Sequence, residues 1–378
     1  MKHKVLFVSS TFSHIRNFHR PYLAEFSRRG WQADIACGGP SIPIPEACRS
    51  IEVPFEKSMF SPKNFKATLL LRREIRSEGY DLISCHTALA AFFVRLAVVG
   101  LRPRPIIVCT SHGYLFDENT SVLKRLLLSS AEKLMAPLTD LLMTMNEWDT
   151  RYAKAHHLGK QVLFIPGMGV NFSRLTQISP DAGQMLREEL GLTKDQFLII
   201  YAAEFSARKS QATLLRALPL LPEHAVLLLP GDGILLDECK QLARELGIAH
   251  RVIFPGHISD MPRWYAAADA TVASSRIEGL PFNIMEAMYC GLPVVASAVK
   301  GQTDLIDHDR TGLLFPYGDV EVCAAQLNRL LTEPGLAARL GQAAHNSMEP
   351  YTLEAVLPQI MAIYETLVPL DAPQTTSV

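Results

Sequence analysis

Ala273-Ser-Ser-Arg-Ile-Glu278-Gly-Leu-Pro281-Phe-Asn-Ile-Met-Glu286-Ala-Met-Tyr-Cys-Gly291-Leu-Pro-Val-Val-Ala296 sets two carboxylates around a glycine turn and a helix start, between two apolar runs. Val272 and Ala273 close the first run, and Gly279 with Pro281 mark the turn. Phe282–Tyr289 contains neither Gly nor Pro and reads as a helix, which Gly291-Leu-Pro ends before a strand over Val294–Ala296. Pro281 suits the first helical turn, where a missing N–H costs nothing. Glu278 therefore falls just outside the helix and Glu286 inside it. The N–H groups of a helix start form an anion site, and five residues of helix rise roughly 8 Å. A ligand with its phosphates at that start would meet one carboxylate at each end. Hydroxyls, diphosphate, hydroxyls is the layout of a sugar nucleotide.

The 378 residues, 48% hydrophobic and 20% charged, are enough for two ordinary domains with their own cores. A formal net charge of −1 hides an asymmetry. Residues 1–170 carry 22 Lys+Arg against 14 Asp+Glu, and the remainder 15 against 24. A basic half calls for an anionic partner, nucleic acid or membrane phosphate, unless the charge merely solvates helices. No nucleic-acid recognition motif accompanies it, so nucleic acid is the weakest of these. Seven cysteines with no Cys-x-x-Cys pair argue for a reducing compartment. The opening Met1-Lys-His-Lys-Val-Leu-Phe-Val reads as a first strand, too short in apolar residues for a signal peptide. Ala88–Leu101, interrupted by Arg95, is too short to span a bilayer. Membrane contact, if present, is expected to be peripheral at the cytoplasmic face.

Upstream, Val5–Val8 is a continuous apolar run, as a parallel strand covered on both faces requires. A helix to about Arg29 and a strand over Ala33–Ala36 complete a βαβ opening with no Gly-x-Gly-x-x-Gly, so no dinucleotide fingerprint. His14, Asn17 and His19 cluster at that helix start, where polar residues also serve simply as caps. His86 follows the strand Leu82–Cys85 and His112 follows Ile106–Ser111. Both occupy the carboxyl end of a strand, where open α/β sheets place ligands; the alternative is loop histidines bonded to backbone. Ser121–Leu138 reads as an amphipathic basic helix that lies on a membrane or packs on a sheet. Pro166-Gly-Met-Gly-Val-Asn171 punctuates the chain near its middle, and a second α/β alternation runs from Phe197. The expected fold class is α/β, with two doubly wound Rossmann-like domains facing a central cleft. Residues 1–169 form the first, 170–350 the second; a helix near 353–368 packs back on the first, and 371–378 form a disordered tail.

Glu278-Gly-Leu-Pro-x4-Glu286, continued by Ala-Met-x-x-Gly-Leu-Pro-Val-Val, resembles the Glu-x7-Glu motif of the retaining glycosyltransferases of family GT4, which have the GT-B fold. Ser13-His14-x-x-Asn17, Cys85-His86-Thr, Ser111-His112-Gly and Ile165-Pro-Gly-x-Gly-Val extend the resemblance to the bacterial branch that builds exopolysaccharide and capsule. The resemblance implies that Glu278 accepts hydrogen bonds from donor-sugar hydroxyls and Glu286 from the ribose. It gives the diphosphate to the backbone of Gly279, Leu280 and Phe282 and to Lys209, which would neutralise the leaving group. His112 matches a histidine beside the reacting sugar, and His257-Ile258 the place where backbone meets the base. Ser13, His14, Asn17 and His86 fall on the acceptor side. One departure is Glu204, where the family commonly has Arg; either Arg208 takes the cationic role or Glu204 meets a sugar or a lysine. No metal is expected, because Asp307-His-Asp309 reads as a loop and helix N–H groups with Lys209 can take an ion's place.

The expected function is a retaining, metal-independent transfer of a hexose or N-acetylhexosamine from a sugar nucleotide, a UDP-sugar by preference, to a polyprenyl-diphosphate-linked glycan. A sugar-nucleotide epimerase and a non-catalytic sugar-nucleotide-binding subunit are the alternatives.

Overall fold

The computed structural model describes residues 3–368; the tail expected to be disordered lies outside them. The chain forms two compact units, one running to Val170 and resumed from Leu353, the other Asn171–Thr352.

The first unit holds seven parallel strands: β1 (Lys4–Ser9), β2 (Gln32–Cys37), β3 (Arg49–Glu52), β4 (Leu82–Cys85), β5 (Ile106–Ser111), β6 (Leu141–Thr144) and β7 (Gln161–Phe164). Their spatial order is β3-β2-β1-β4-β5-β6-β7. Val5 pairs with Ala33 on one side and with Leu82 on the other, so the winding direction reverses between β1 and β4. Apart from Ile106 at the start of β5, the valines, leucines and isoleucines of β1, β4 and β5 are buried on both faces, as a doubly wound sheet demands. The helix expected as one piece after β1 is two, Phe12–Phe18 and Arg20–Arg28. His19 breaks it with φ −120° and ψ −4°. Pro21 causes the break: it supplies no N–H to a continuing helix and its ring clashes with the preceding turn.

The second unit repeats the plan with β8 (Phe197–Ile200), β9 (Ala225–Leu228), β10 (Val252–Ile253), β11 (Ala270–Ala273), β12 (Val294–Ser297) and β13 (Leu313–Phe315), in the order β10-β9-β8-β11-β12-β13. Here the reversal lies between β8 and β11. The apolar run Phe197–Ala203 is longer than its strand because another loop closes on its end. A Cβ on Gly231, which has φ +142°, would lie 2.1 Å from the Ala203 carbonyl oxygen. Only glycine permits that approach.

Among the elements outside the sequence-based expectation are the edge strand β3 and the helices Glu147–Ala155 and Ala182–Glu189. The first of these helices is announced by Asn146, whose side chain accepts from Asp149 N at 2.8 Å as an N-cap. The last helix, Leu353–Leu367, belongs to the first unit. Leu353 N donates to Val170 O at 3.0 Å, and Tyr364 is fully buried with its hydroxyl 2.7 Å from Ser84 Oγ. Gly169, at φ +72°, makes the return possible, since a Cβ there would sit 2.8 Å from Leu353 Cα.

Candidate functional site

Open parallel sheets offer a binding crevice where the strand order reverses, at the carboxyl ends of the strands. Both units load that position with polar side chains, of different chemistry.

In the second unit, the turn after β8 carries Glu204, Arg208 and Lys209, and the loop after β11 carries Glu278. Glu278 accepts from both cations, Arg208 Nη1 at 2.9 Å and Lys209 Nζ at 2.6 Å, one on each oxygen. Glu278 and Lys209 are buried. Burial pulls the Lys209 pKa down, opposed chiefly by Glu278 and more weakly by Glu204. Arg208 thus joins Lys209 on one carboxylate. Glu204 is exposed and lines a pocket of about 420 Å³ with Asp232, His257 and Ile258, so the departing residue sits with the segment assigned to the base.

Downstream, Phe282–Tyr289 is helical with Pro281 as its N-cap, one position earlier than expected. Glu286 lies inside this helix, buried. Burial raises its pKa, and its ion pair with Arg174 opposes the rise. The Tyr265 hydroxyl, 3.2 Å away, donates to the same carboxylate. Gly279, Leu280 and Phe282 form the turn between the two carboxylates. The Gly301 backbone presses on it: a Cβ there would lie 2.6 Å from Gly279 O.

Arg174, Tyr265 and Gly301 escaped the sequence reading. Arg174 and Tyr265 reach Glu286 from 112 and 21 residues away in sequence, and no local pattern marks such a partner. Ser206 had a signal, its place in the turn with Arg208 and Lys209; its hydroxyl is buried without a partner among the described residues. Asp307 and Asp309 pair with Arg310 at 2.7 Å and Arg329 at 2.9 Å, which fits a loop.

In the first unit, His14 Nε2 lies 3.3 Å from His112 Nε2. His19 packs against His86 with ring centroids 3.7 Å apart and the planes tilted by 32°. Desolvation holds the imidazoles neutral: the pKa of His14 falls to about 4 and that of His112 to about 3, with His19 and His86 also well below the ordinary value. His86 is fully buried and its Nε2 shares a 2.9 Å hydrogen bond with Ser84 Oγ, which in turn meets Tyr364. His14, His86 and His112 line a cavity of about 310 Å³ together with Tyr114, Phe116 and Leu128. Ser13 and Asn17 are exposed on the helix Phe12–Phe18 and do not bond to the imidazoles. His19 was the under-weighted member: fully buried, it packs beneath all three others.

Residues 22–201 match the family described as Glycosyltransferase Family 4, and residues 184–347 the family Glycosyl transferases group 1. The chain is 31% identical over 376 residues to the "Putative glycosyltransferase EpsD" of Bacillus subtilis (strain 168), covering 98% of each chain. It is 23% identical over 285 residues to the "UDP-Gal:alpha-D-GlcNAc-diphosphoundecaprenol alpha-1,3-galactosyltransferase" of Escherichia coli, covering 74% of this chain and 71% of that one. Among solved structures, Anabaena Alr3699/HepE in complex with UDP and glucose superposes with a TM-score of 0.79 at 20% identity, covering 96% of this chain and all of the other. At that identity the likeness concerns the fold.

Proposed function

The chain belongs to the GT4 family of GT-B glycosyltransferases, and from that premise we propose that it moves a hexose or N-acetylhexosamine from a UDP-sugar to a lipid-linked glycan, with retention of configuration. The epimerase and binding-subunit alternatives yield to the family's transferase activity. The carrying observation is the pair of buried carboxylates flanking one glycine turn, each held by a cation. Glu278 and Glu286 accept hydroxyl hydrogen bonds from sugar and ribose. The turn amides of Gly279, Leu280 and Phe282, with Lys209 and Arg208, take the diphosphate between them.

In this reading the C1–O bond to the diphosphate breaks while an acceptor oxygen bonds to C1 on the same face. The acceptor's proton passes to the departing diphosphate. Lys209, already desolvated, stabilises the charge that grows there. No divalent ion is required on the diphosphate. Following the family's pattern, His112 is assigned to the reacting sugar and His14 and His86 to the acceptor, together with the exposed Ser13 and Asn17.

The likeness to the Escherichia coli galactosyltransferase supports a UDP-sugar donor and a diphospholipid acceptor, and the EpsD likeness supports the surface-glycan branch. The helix Val122–Met135 supports a peripheral position on the cytoplasmic membrane face. It exposes Leu123 (80%) and Leu127 (71%) beside Lys124, the composition of an interfacial helix. No helix among the described residues is long and apolar enough to cross a membrane.

The test is mass spectrometry of products from a panel of sugar nucleotides and polyprenyl-diphosphate glycans, with and without EDTA. One acceptor-dependent α-linked product, formed at least as fast with EDTA as without it, is expected. UDP release without acceptor, or loss of transfer with EDTA, overturns the reading.

A further inference from the structure

We propose that His14, His19 and His112 form a three-imidazole site for one divalent transition-metal ion of the zinc class, separate from the donor-side carboxylates. One donor nitrogen from each of these residues lies within 4.8 Å of the others. Two neighbours on a tetrahedral zinc with Zn–N near 2.0–2.1 Å stand about 3.4 Å apart. His14 Nε2 and His112 Nε2 are already 3.3 Å apart. Bringing His19 to the same spacing requires a movement of about 1.5 Å at most, within the range of a ring rotation.

A hydrogen bond between His14 and His112 accounts for those two rings and leaves the third unexplained. His19 is fully buried, and neither of its ring nitrogens has a partner among the described residues. A buried polar atom left in that state costs about 1–3 kcal/mol, and native structures seldom carry one without a bound water or ion to answer it. Metal ligation also needs neutral imidazoles, which burial supplies here.

The donor set selects the ion. Three nitrogens without a carboxylate suit Zn²⁺, Co²⁺, Ni²⁺ or Cu²⁺ and not Mg²⁺ or Ca²⁺, which take oxygen ligands. Glu132, the one acid lining the adjoining cavity, is committed to the buried Arg95 at 2.8 Å. His14 and His112 are half-buried and border that cavity, which gives the ion a way in and leaves a fourth position for water or an acceptor oxygen. Such an ion engages His112, so metal-loaded protein transfers sugar more slowly than chelated protein.

The experiment titrates the EDTA-stripped full chain with Co²⁺, followed by its visible absorption, and then with Zn²⁺ in competition. One equivalent with a tetrahedral Co²⁺ spectrum, displaced by Zn²⁺, is expected. His14→Ala and His19→Phe each weaken binding at least roughly 100-fold, while His156→Ala/His157→Ala, at two exposed histidines, leaves it intact. Absence of saturable uptake, or uptake unaffected by His14→Ala and His19→Phe, overturns the site. His14 is only half-buried, so His14→Ala decides the matter if His19→Phe fails to fold. The outcome is independent of the transfer reading, which stands or falls on product formation.

Discussion

The two units put their polar residues at the same topological place, after the strands that flank the reversal of a doubly wound sheet, and fill it with opposite chemistry. After β8 and β11 the side chains are ions that answer one another: Glu278 between Arg208 and Lys209, Glu286 against Arg174. After β1, β4 and β5 they are imidazoles held neutral by burial. Paired charges can be shared with a charged ligand at little cost, because each already has a partner to exchange. Neutral imidazoles offer lone pairs and N–H groups without a fixed charge, which suits a hydroxyl or a metal ion better than a phosphate. The scaffold fixes where a ligand goes, and the side chains fix which kind.

The hardest blow to this contrast is Glu278→Ala. Transfer is expected to fall about 10²–10³-fold with the protein still folded, checked by single-turnover assay and thermal melt; near-normal turnover removes the ionic cluster from the chemistry. A smaller effect tests the first unit's lipid-facing role. Leu123→Asn with Leu127→Asn, both exposed, is expected to weaken binding to anionic vesicles in co-sedimentation by roughly 100-fold, since each of the two leucines withdrawn from lipid forfeits about 1.5 kcal/mol. Unchanged sedimentation would place that helix elsewhere.

Acid sharpens the comparison, because the two regions respond to pH with opposite sign. The native pKa values of His14 and His112, about 4 and about 3, lie below the ordinary 6.5. The unfolded chain therefore binds more protons throughout that interval, and stability from these residues is full above pH 6.5 and lost as pH falls through 4. The melting temperature is expected to drop by several °C between pH 7 and pH 4.5, and by less in His14→Asn. An equal drop in the variant would assign the loss to other groups. Glu286 behaves the other way: its raised pKa favours the protonated native form, and that contribution is lost as pH climbs through the native value. Arg174→Ala raises that pKa further, so donor binding should weaken under about fivefold at neutral pH and shift its pH profile upward. A profile that stays in place in isothermal titration would separate Arg174 from the function of Glu286.

What the sequence by itself determined was whatever depends on neighbours along the chain. Apolar runs fixed β4, β5 and β11 to the residue, the Gly–Pro punctuation fixed the helix Phe282–Tyr289, and the spacing of Glu278 and Glu286 placed one before that helix and one within it. The strand-end positions of His86 and His112 were legible for the same reason. Local pattern failed where a single residue overrode its surroundings, as Pro21 does in splitting one helix into two, and where burial was shallow, as in β3. Only the tertiary structure decided the partners. Arg174 and Tyr265 reach Glu286, and Lys209 reaches Glu278 across 69 residues, through elements whose meeting depends on sheet order. His19, noted in sequence only as one of a polar cluster at a helix start, became the orphaned centre of the imidazole cluster because β1, β4 and β5 are neighbours in space. Contacts between distant segments are set by how strands stack, and stacking is a property of the whole sheet that no short stretch of sequence contains.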